Sequence, residues 1–145
     1  FNQIVKICGY GMVESADEYA KNNNFRLRRK MAGNNVIDSV GGFLNGSTHC
    51  ELFFDYDGLD RAYANRMGDS IPQSLEYYPN AGDCGGGLFL LDNGIWELAG
   101  LCSAVDIPSE HFLYGNKYHE YYGFTCSYIR VSAFESWINN CLIGK

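Results

Sequence analysis

The sequence predicts an all-β domain, a small barrel or sandwich followed by one C-terminal helix, and three observations predict it. Short β-branched and aromatic runs recur between glycine-rich turns. Asp92-Asn93-Gly94 separates two apolar runs, and an apolar period of three and four residues begins only after Ser132. No internal repeat, low-complexity tract or linker divides the 145 residues, and 46% hydrophobic with 19% charged residues supplies the apolar material for one packed core.

The elements follow in order. Ile4-Val5-Lys6-Ile7 alternates and is β-branched, a strand that ends where Gly9-Tyr10-Gly11 allows a tight turn. Glu14 to Lys30 is polar and asparagine-rich, an exposed loop with room for a helical turn around Ala16 to Ala20. Val36 to Val40 and Leu52 to Tyr56 read as short strands separated by turns at Gly41-Gly42 and Asn45-Gly46. A polar connection from Leu59 to Tyr77 leads to the glycine cluster Gly82 to Gly87. Leu88 to Leu91 and Trp96 to Ser103 flank Asn93-Gly94, whose residues tolerate the positive φ of a two-residue hairpin. The loop Asp106 to Tyr122 precedes a strand over Thr125 to Val131. Ser132 followed by Glu135 makes a capping box, and Phe134, Trp137, Ile138 and Cys141/Leu142 form the apolar stripe of an amphipathic helix.

Charge and cysteine usage exclude several functions. Eleven basic against seventeen acidic residues give a net charge of −6, without the electrostatic footprint of a nucleic-acid or anionic-membrane binder. The one cationic cluster, Arg26 to Lys30, reads as a solvated face or loop. No apolar run approaches membrane-spanning length and no basic leader precedes one, so the expectation is a soluble chain. The six cysteines contain no CxxC pair, and with His49, His111 and His119 they form no zinc pattern, so no metal or other cofactor is expected. Asn45-Gly46-Ser47 fits a glycosylation acceptor, a tripeptide that also arises by chance.

The chemistry concentrates in Ala81-Gly82-Asp83-Cys84-Gly85-Gly86-Gly87-Leu88. This stretch closely resembles the Gly-Asp-Ser-Gly-Gly-Pro-Leu nucleophile loop of trypsin-like, chymotrypsin-fold proteases. Trp96 to Ser103 resembles the hairpin into that family's substrate-pairing strand, and Tyr128 to Phe134 with Trp137-Ile138 resembles its last strand and terminal helix. Gly9-Tyr10-Gly11, Ala32 to Asp38 and Phe54-Asp55-Tyr56-Asp57 are similar to a bacterial-type branch. The resemblance spans nearly the whole chain. It implies a six-stranded antiparallel Greek-key β-barrel of the chymotrypsin fold with a C-terminal α-helix, residues 1–145 forming the second barrel of a two-barrel protease. The first barrel, with the triad histidine and aspartate, would then come from an N-terminal segment or a partner chain.

Glycines suit such a loop because missing side chains let a substrate carbonyl reach backbone donors. By the resemblance, the N–H groups of Gly82 and Cys84 form an oxyanion hole, in which loss of one donor costs about 3 kcal/mol of transition-state stabilisation. Asp83 would face inward and pair with a chain terminus freed by zymogen activation, a terminus belonging to the first barrel. Cys84 stands where the family has serine, and Gly87 replaces the usual proline. A thiolate is a strong nucleophile when an imidazolium or oriented dipole ionises it, and viral proteases of this fold use a Gly-x-Cys-Gly-Gly loop.

Counted the same way, the specificity pocket has Tyr78 at its base and Val105 and Thr125 to Ser127, including Cys126, in its walls. Ser103, Ala104 and Val105 would pair with the substrate backbone. With no carboxylate at position 78, preference for Arg or Lys is not expected, although Glu76 and Asp106 lie near the rim. Cys102 and Cys126 would lie on neighbouring strands within bonding reach, and disulfide pairing does not follow from sequence.

The expected function is therefore an endopeptidase half acting on a protein or peptide substrate, with Cys84 as nucleophile and a secreted or extracytoplasmic location. Two alternatives stay open. One is a non-catalytic pseudoprotease, drifted or engineered from serine to cysteine, binding partners through aromatics such as Phe112, Tyr118, Tyr121 and Tyr122. The other is an independent viral-type cysteine protease with His49 as base.

Overall fold

A computed structural model describes residues 3–11, 30–57, 65–68, 70–106 and 122–144. The described residues form seven strands: β1 (Gln3–Gly9), β2 (Met31–Ile37), β3 (Ser39–Leu44), β4 (Ser47–Asp55), β5 (Gly87–Asp92), β6 (Ile95–Asp106) and β7 (Thr125–Arg130). A 3₁₀ turn, Val131–Phe134, leads into helix α1 (Glu135–Leu142). The strands make one sheet in the order β2-β1-β5-β6-β7-β4-β3, with antiparallel pairing throughout. The all-β class and the C-terminal helix are as the sequence predicts.

Alternation builds the core. In β1, Val5 and Ile7 are fully buried while Ile4, Lys6 and Cys8 face outward. Leu52 and Phe54 of β4 meet Cys126 and Tyr128 of β7, with Leu52 opposite Tyr128, Phe54 opposite Cys126, and the Phe54 and Tyr128 rings 5.4 Å apart. Leu88 and Cys102 complete the cluster from β5 and β6. The sheet's ends approach each other: β2 lies against β4, and the buried Asn35 amide donates to the Asp55 carbonyl at 2.9 Å.

Both Asn-Gly turns form as expected, with Asn45 and Gly46 at φ 49° and 84° and Asn93 and Gly94 at φ 48° and 82°. Three local expectations are corrected. Val36 to Val40 is not one strand but breaks at Asp38. That residue turns a corner there, its N–H donating to the Phe53 carbonyl at 3.0 Å and its carboxylate accepting the Asp55 N–H at 3.3 Å. Gly41-Gly42 is not a turn but a bulge inside β3, because Gly42 takes φ 77° and the register against β4 shifts between Gly41 and Phe43. The Ser132 capping box does not form. The 3₁₀ turn takes up Ser132, so the N-cap falls at Phe134 and no side chain caps the helix.

The helix is shallow. None of its residues is buried, and Trp137 and Leu142 are exposed, so its apolar stripe does not close the core. Of the expected loops, residues 14–29 and 107–121 lie outside the described residues, as do His111, His119, Phe112, Tyr118, Tyr121 and the turn proposed at 16–20. Among the described residues, no helix is long and apolar enough to cross a membrane.

Candidate active site

The glycine turn around Cys84 is built from two successive hydrogen-bonded turns. The Asn80 carbonyl accepts the Asp83 N–H at 2.9 Å, and the Asp83 carbonyl accepts the Gly86 N–H at 2.8 Å. Positive φ at Gly82 (98°) and Gly85 (80°) makes this winding possible. Gly86 is required for space, since a Cβ there would meet the Cys8 carbonyl oxygen at 2.6 Å. On its far side the turn is sewn to β6, with Gly85 N–H donating to the Cys102 carbonyl at 2.9 Å and Cys102 N–H donating to the Gly86 carbonyl at 2.8 Å.

Cys84 stands exposed at the tip. Among the described residues, neither its N–H nor that of Gly82 donates a hydrogen bond, whereas the intervening Asp83 N–H is paired. Two unpaired amides and an exposed thiol thus share three consecutive residues.

Asp83 faces inward, only 4% exposed. Its carboxylate accepts hydrogen bonds from Gly11 N–H at 2.5 Å, Tyr77 O–H at 2.8 Å and Asn80 N–H at 2.9 Å. These partners belong to the chain itself, in place of the liberated terminus that the resemblance implies. Burial, followed by the bond to Asp83, pushes the Tyr77 phenol well above its ordinary range. Sequence reasoning missed Tyr77 and Asn80 as partners of Asp83, and read Gly9-Tyr10-Gly11 as a turn and a point of family resemblance without linking it to Asp83. The available signal was the pair of glycines closing β1. A Cβ at Gly9 would lie 2.0 Å from Asp83 Oδ1, and one at Gly11 would lie 2.7 Å from the same oxygen.

The proposed pocket residues occupy two environments. Ser103 and Ala104 are exposed along β6, where a bulge between Cys102 and Ala104 brings Ala104 opposite Ser127 and Val105 opposite Cys126. Cys126 is fully buried. Tyr78 is half-buried in an aromatic cluster, 5.1 Å from Tyr56 and edge-on to Phe124 at 6.0 Å, with Tyr56 stacked on Tyr122 at 5.2 Å. Glu76 does not project from the rim as an available charge. Its two oxygens accept the N–H groups of Asp57 (2.8 Å) and Gln73 (2.6 Å), and burial raises its carboxyl despite those bonds. Asp106 is exposed at the end of β6.

All six cysteines are free thiols, including Cys102 and Cys126 on the neighbouring strands β6 and β7. Burial pushes the Cys102 thiol up to about 11, opposed by a hydrogen bond from Tyr128 and reinforced by nearby Cys84 and Asp83. Burial likewise raises Cys126 and Tyr128. The sign of the consequence follows from proton counting. An unfolded cysteine deprotonates near 9.0, whereas folded Cys102 holds its proton to about 11. Its contribution is therefore complete below pH 9 and lost as the pH rises towards 11. Thermal melts are expected to fall over that window, and less so in Cys102→Ala than in the parent.

His49 is exposed on β4, beyond the Asn45-Gly46 turn and at φ 53°. It sits on a strand paired with β3 and β7, while the turn carrying Cys84 packs on the end of β1, leads into β5 and is bonded to β6. No group of three or more His, Cys, Asp or Glu side chains among the described residues is arranged to hold a metal ion. Comparison with protein-family models, curated proteins and solved structures finds no match.

Proposed function

We propose that this chain is the second barrel of a chymotrypsin-fold endopeptidase with Cys84 as its nucleophile. The observation that carries the reading is the exposed thiol flanked by the unpaired amides of Gly82 and Cys84, on a turn held from both sides. The strand order is compatible with the fold. With β3 set aside as an excursion between β2 and β4, six antiparallel strands remain in the order β2-β1-β5-β6-β7-β4, and contact between β2 and β4 supports closure into a barrel.

In this mechanism the Cys84 thiolate attacks the scissile carbonyl, and the two amides receive the developing oxyanion. A histidine from the other barrel, oriented by an aspartate, gives its proton to the departing amine as the C–N bond breaks and an S-acyl thioester forms. The same histidine then takes a proton from water, which cleaves the thioester and regenerates the thiol. The amides contribute by being fixed before charge develops, so no reorganisation is needed in the transition state. Tyr78, clustered with Tyr56 and Phe124, offers no carboxylate to a basic side chain, which argues against preference for Arg or Lys.

A second reading, a non-catalytic binding subunit, draws on the exposed Leu91, Trp96, Leu98 and Leu101 of the β5–β6 hairpin. The same face suits a covering barrel in the peptidase reading. Iodoacetamide labelling near neutral pH, followed by peptide mapping of the six cysteines, separates the two. The peptidase reading expects Cys84 to label fastest, and only when a barrel carrying the histidine and aspartate is present. Equal, slow labelling of Cys84, Cys8 and Cys141 in both conditions supports the binding subunit.

A further inference from the structure

The environment of Asp83 assigns a role to a residue outside the proposed triad. Asp83 lies between the two unpaired amides, so whatever anchors its side chain sets the directions in which the Gly82 and Cys84 N–H groups point. The anchors are all internal. Gly11 N–H occupies Oδ1, while Tyr77 O–H and Asn80 N–H occupy Oδ2. The end of β1 presses so closely on this carboxylate that only glycine fits at positions 9 and 11. The side chain is 4% exposed and both of its oxygens already accept hydrogen bonds. The Asn80 amide belongs to the turn itself, and Gly11 supplies a backbone group. Among the described residues, Tyr77 is therefore the one side chain that locks Asp83 from outside the turn.

We propose that Tyr77 is a positioning residue, which through Asp83 holds the nucleophile turn in its amide-presenting form without a liberated chain terminus. Its catalytic consequence rests on the peptidase reading above, whereas its effect on the turn does not. Tyr77 touches no reacting atom. It acts by limiting the motion of Asp83, and a loosened turn misdirects the two donors that must meet an oxyanion at hydrogen-bonding distance.

The test compares the full chain with Tyr77→Phe by two readouts. The first is amide hydrogen exchange at Gly85 and Gly86, whose N–H groups are bonded within the turn and to β6. The second is the ratio of two rates at Cys84: acylation by p-nitrophenyl acetate and alkylation by iodoacetamide. In the acylation, sulfur bonds to the acetyl carbon as the ester C–O bond breaks, and p-nitrophenolate leaves with the electron pair. That step uses the oxyanion amides, whereas alkylation needs only the thiolate.

Tyr77→Phe is expected to speed exchange at both amides, and to lower the acylation-to-alkylation ratio about tenfold. A folded Tyr77→Phe chain with both readouts unchanged overturns the proposal. Faster exchange with an unchanged ratio also overturns it, since it leaves Tyr77 a purely structural residue. Should Tyr77→Phe fail to fold, Asp83→Asn replaces one acceptor oxygen by an amide nitrogen and is expected to move both readouts the same way, an unchanged ratio again being contrary. A parent chain whose Cys84, with a barrel supplying histidine and aspartate present, acylates no faster than the exposed Cys8 and Cys141 sinks the peptidase reading instead, and the exchange rates then decide the clamp.

Discussion

Gly9→Ala is expected to destabilise the protein by about 3 kcal/mol or more, lowering its melting temperature by about 10 °C. The added Cβ would lie 2.0 Å from Asp83 Oδ1 and 2.5 Å from the Tyr77 hydroxyl, both far inside van der Waals contact. Neither neighbour is the loose end of a flexible chain, because each is held by the hydrogen bond between them. Relief requires the carboxylate to move, which strands the buried Gly11 amide and the other donors at about 1–3 kcal/mol for each group left without a partner. Asp83→Ala is expected to cost a similar amount by the opposite route, since it creates room but removes the acceptor. The double variant separates these effects. With the carboxylate gone, the Gly9 methyl has lost its nearest obstacle, so the paired changes should cost less than their sum. Strict additivity in denaturant melts would show that Gly9 and Asp83 do not act on each other.

The contrast between that clamp and the rest of the fold explains what was legible in the sequence. Asn45-Gly46 and Asn93-Gly94 were readable because both residues of each pair tolerate positive φ, a local property that tertiary contacts reinforce. Val5 and Ile7 were readable because alternation with Ile4 and Lys6 assigns a face. The misread elements answer to distant partners. Asp38 makes a corner because Phe53 and Asp55 lie across from it, and Gly42 becomes a bulge because β4 dictates the register. Ser132 is displaced from its cap by the 3₁₀ turn that follows β7.

The candidate site divides in the same way. Gly82, Cys84 and Gly85 stood out because a glycine-rich turn around a nucleophile is written in consecutive residues. The support of Asp83 was not, because one of its donors lies 72 positions away and another is a tyrosine in a polar connection. Glycines at 9 and 11 record that approach as missing volume, which no single sequence separates from the needs of a turn. The aromatic cluster around Tyr78 was equally hidden, since Tyr56 and the pair Tyr122 and Phe124 converge on it from two other segments.

On the peptidase reading, replacing Cys84 is expected to have the largest effect on activity. On that reading Cys84→Ala deletes the sulfur that carries the acyl group, so the residual rate should fall by about 10³-fold or more, leaving what amide donors and binding achieve with water. Cys84→Ser keeps an oxygen nucleophile of much weaker acidity, and is expected to acylate only where a histidine can remove its proton. A change at Cys141, exposed on the C-terminal helix, should leave acylation unaltered.

The most direct measurement is intact-mass analysis of the chain, together with a barrel supplying histidine and aspartate, after brief exposure to p-nitrophenyl acetate. Peptide mapping then locates the adduct. The peptidase account predicts one acetyl group, carried as a thioester on Cys84, that disappears with time and never forms in Cys84→Ala. Acetyl groups spread over several thiols at comparable rates, or an adduct that persists in Cys84→Ala, would contradict it.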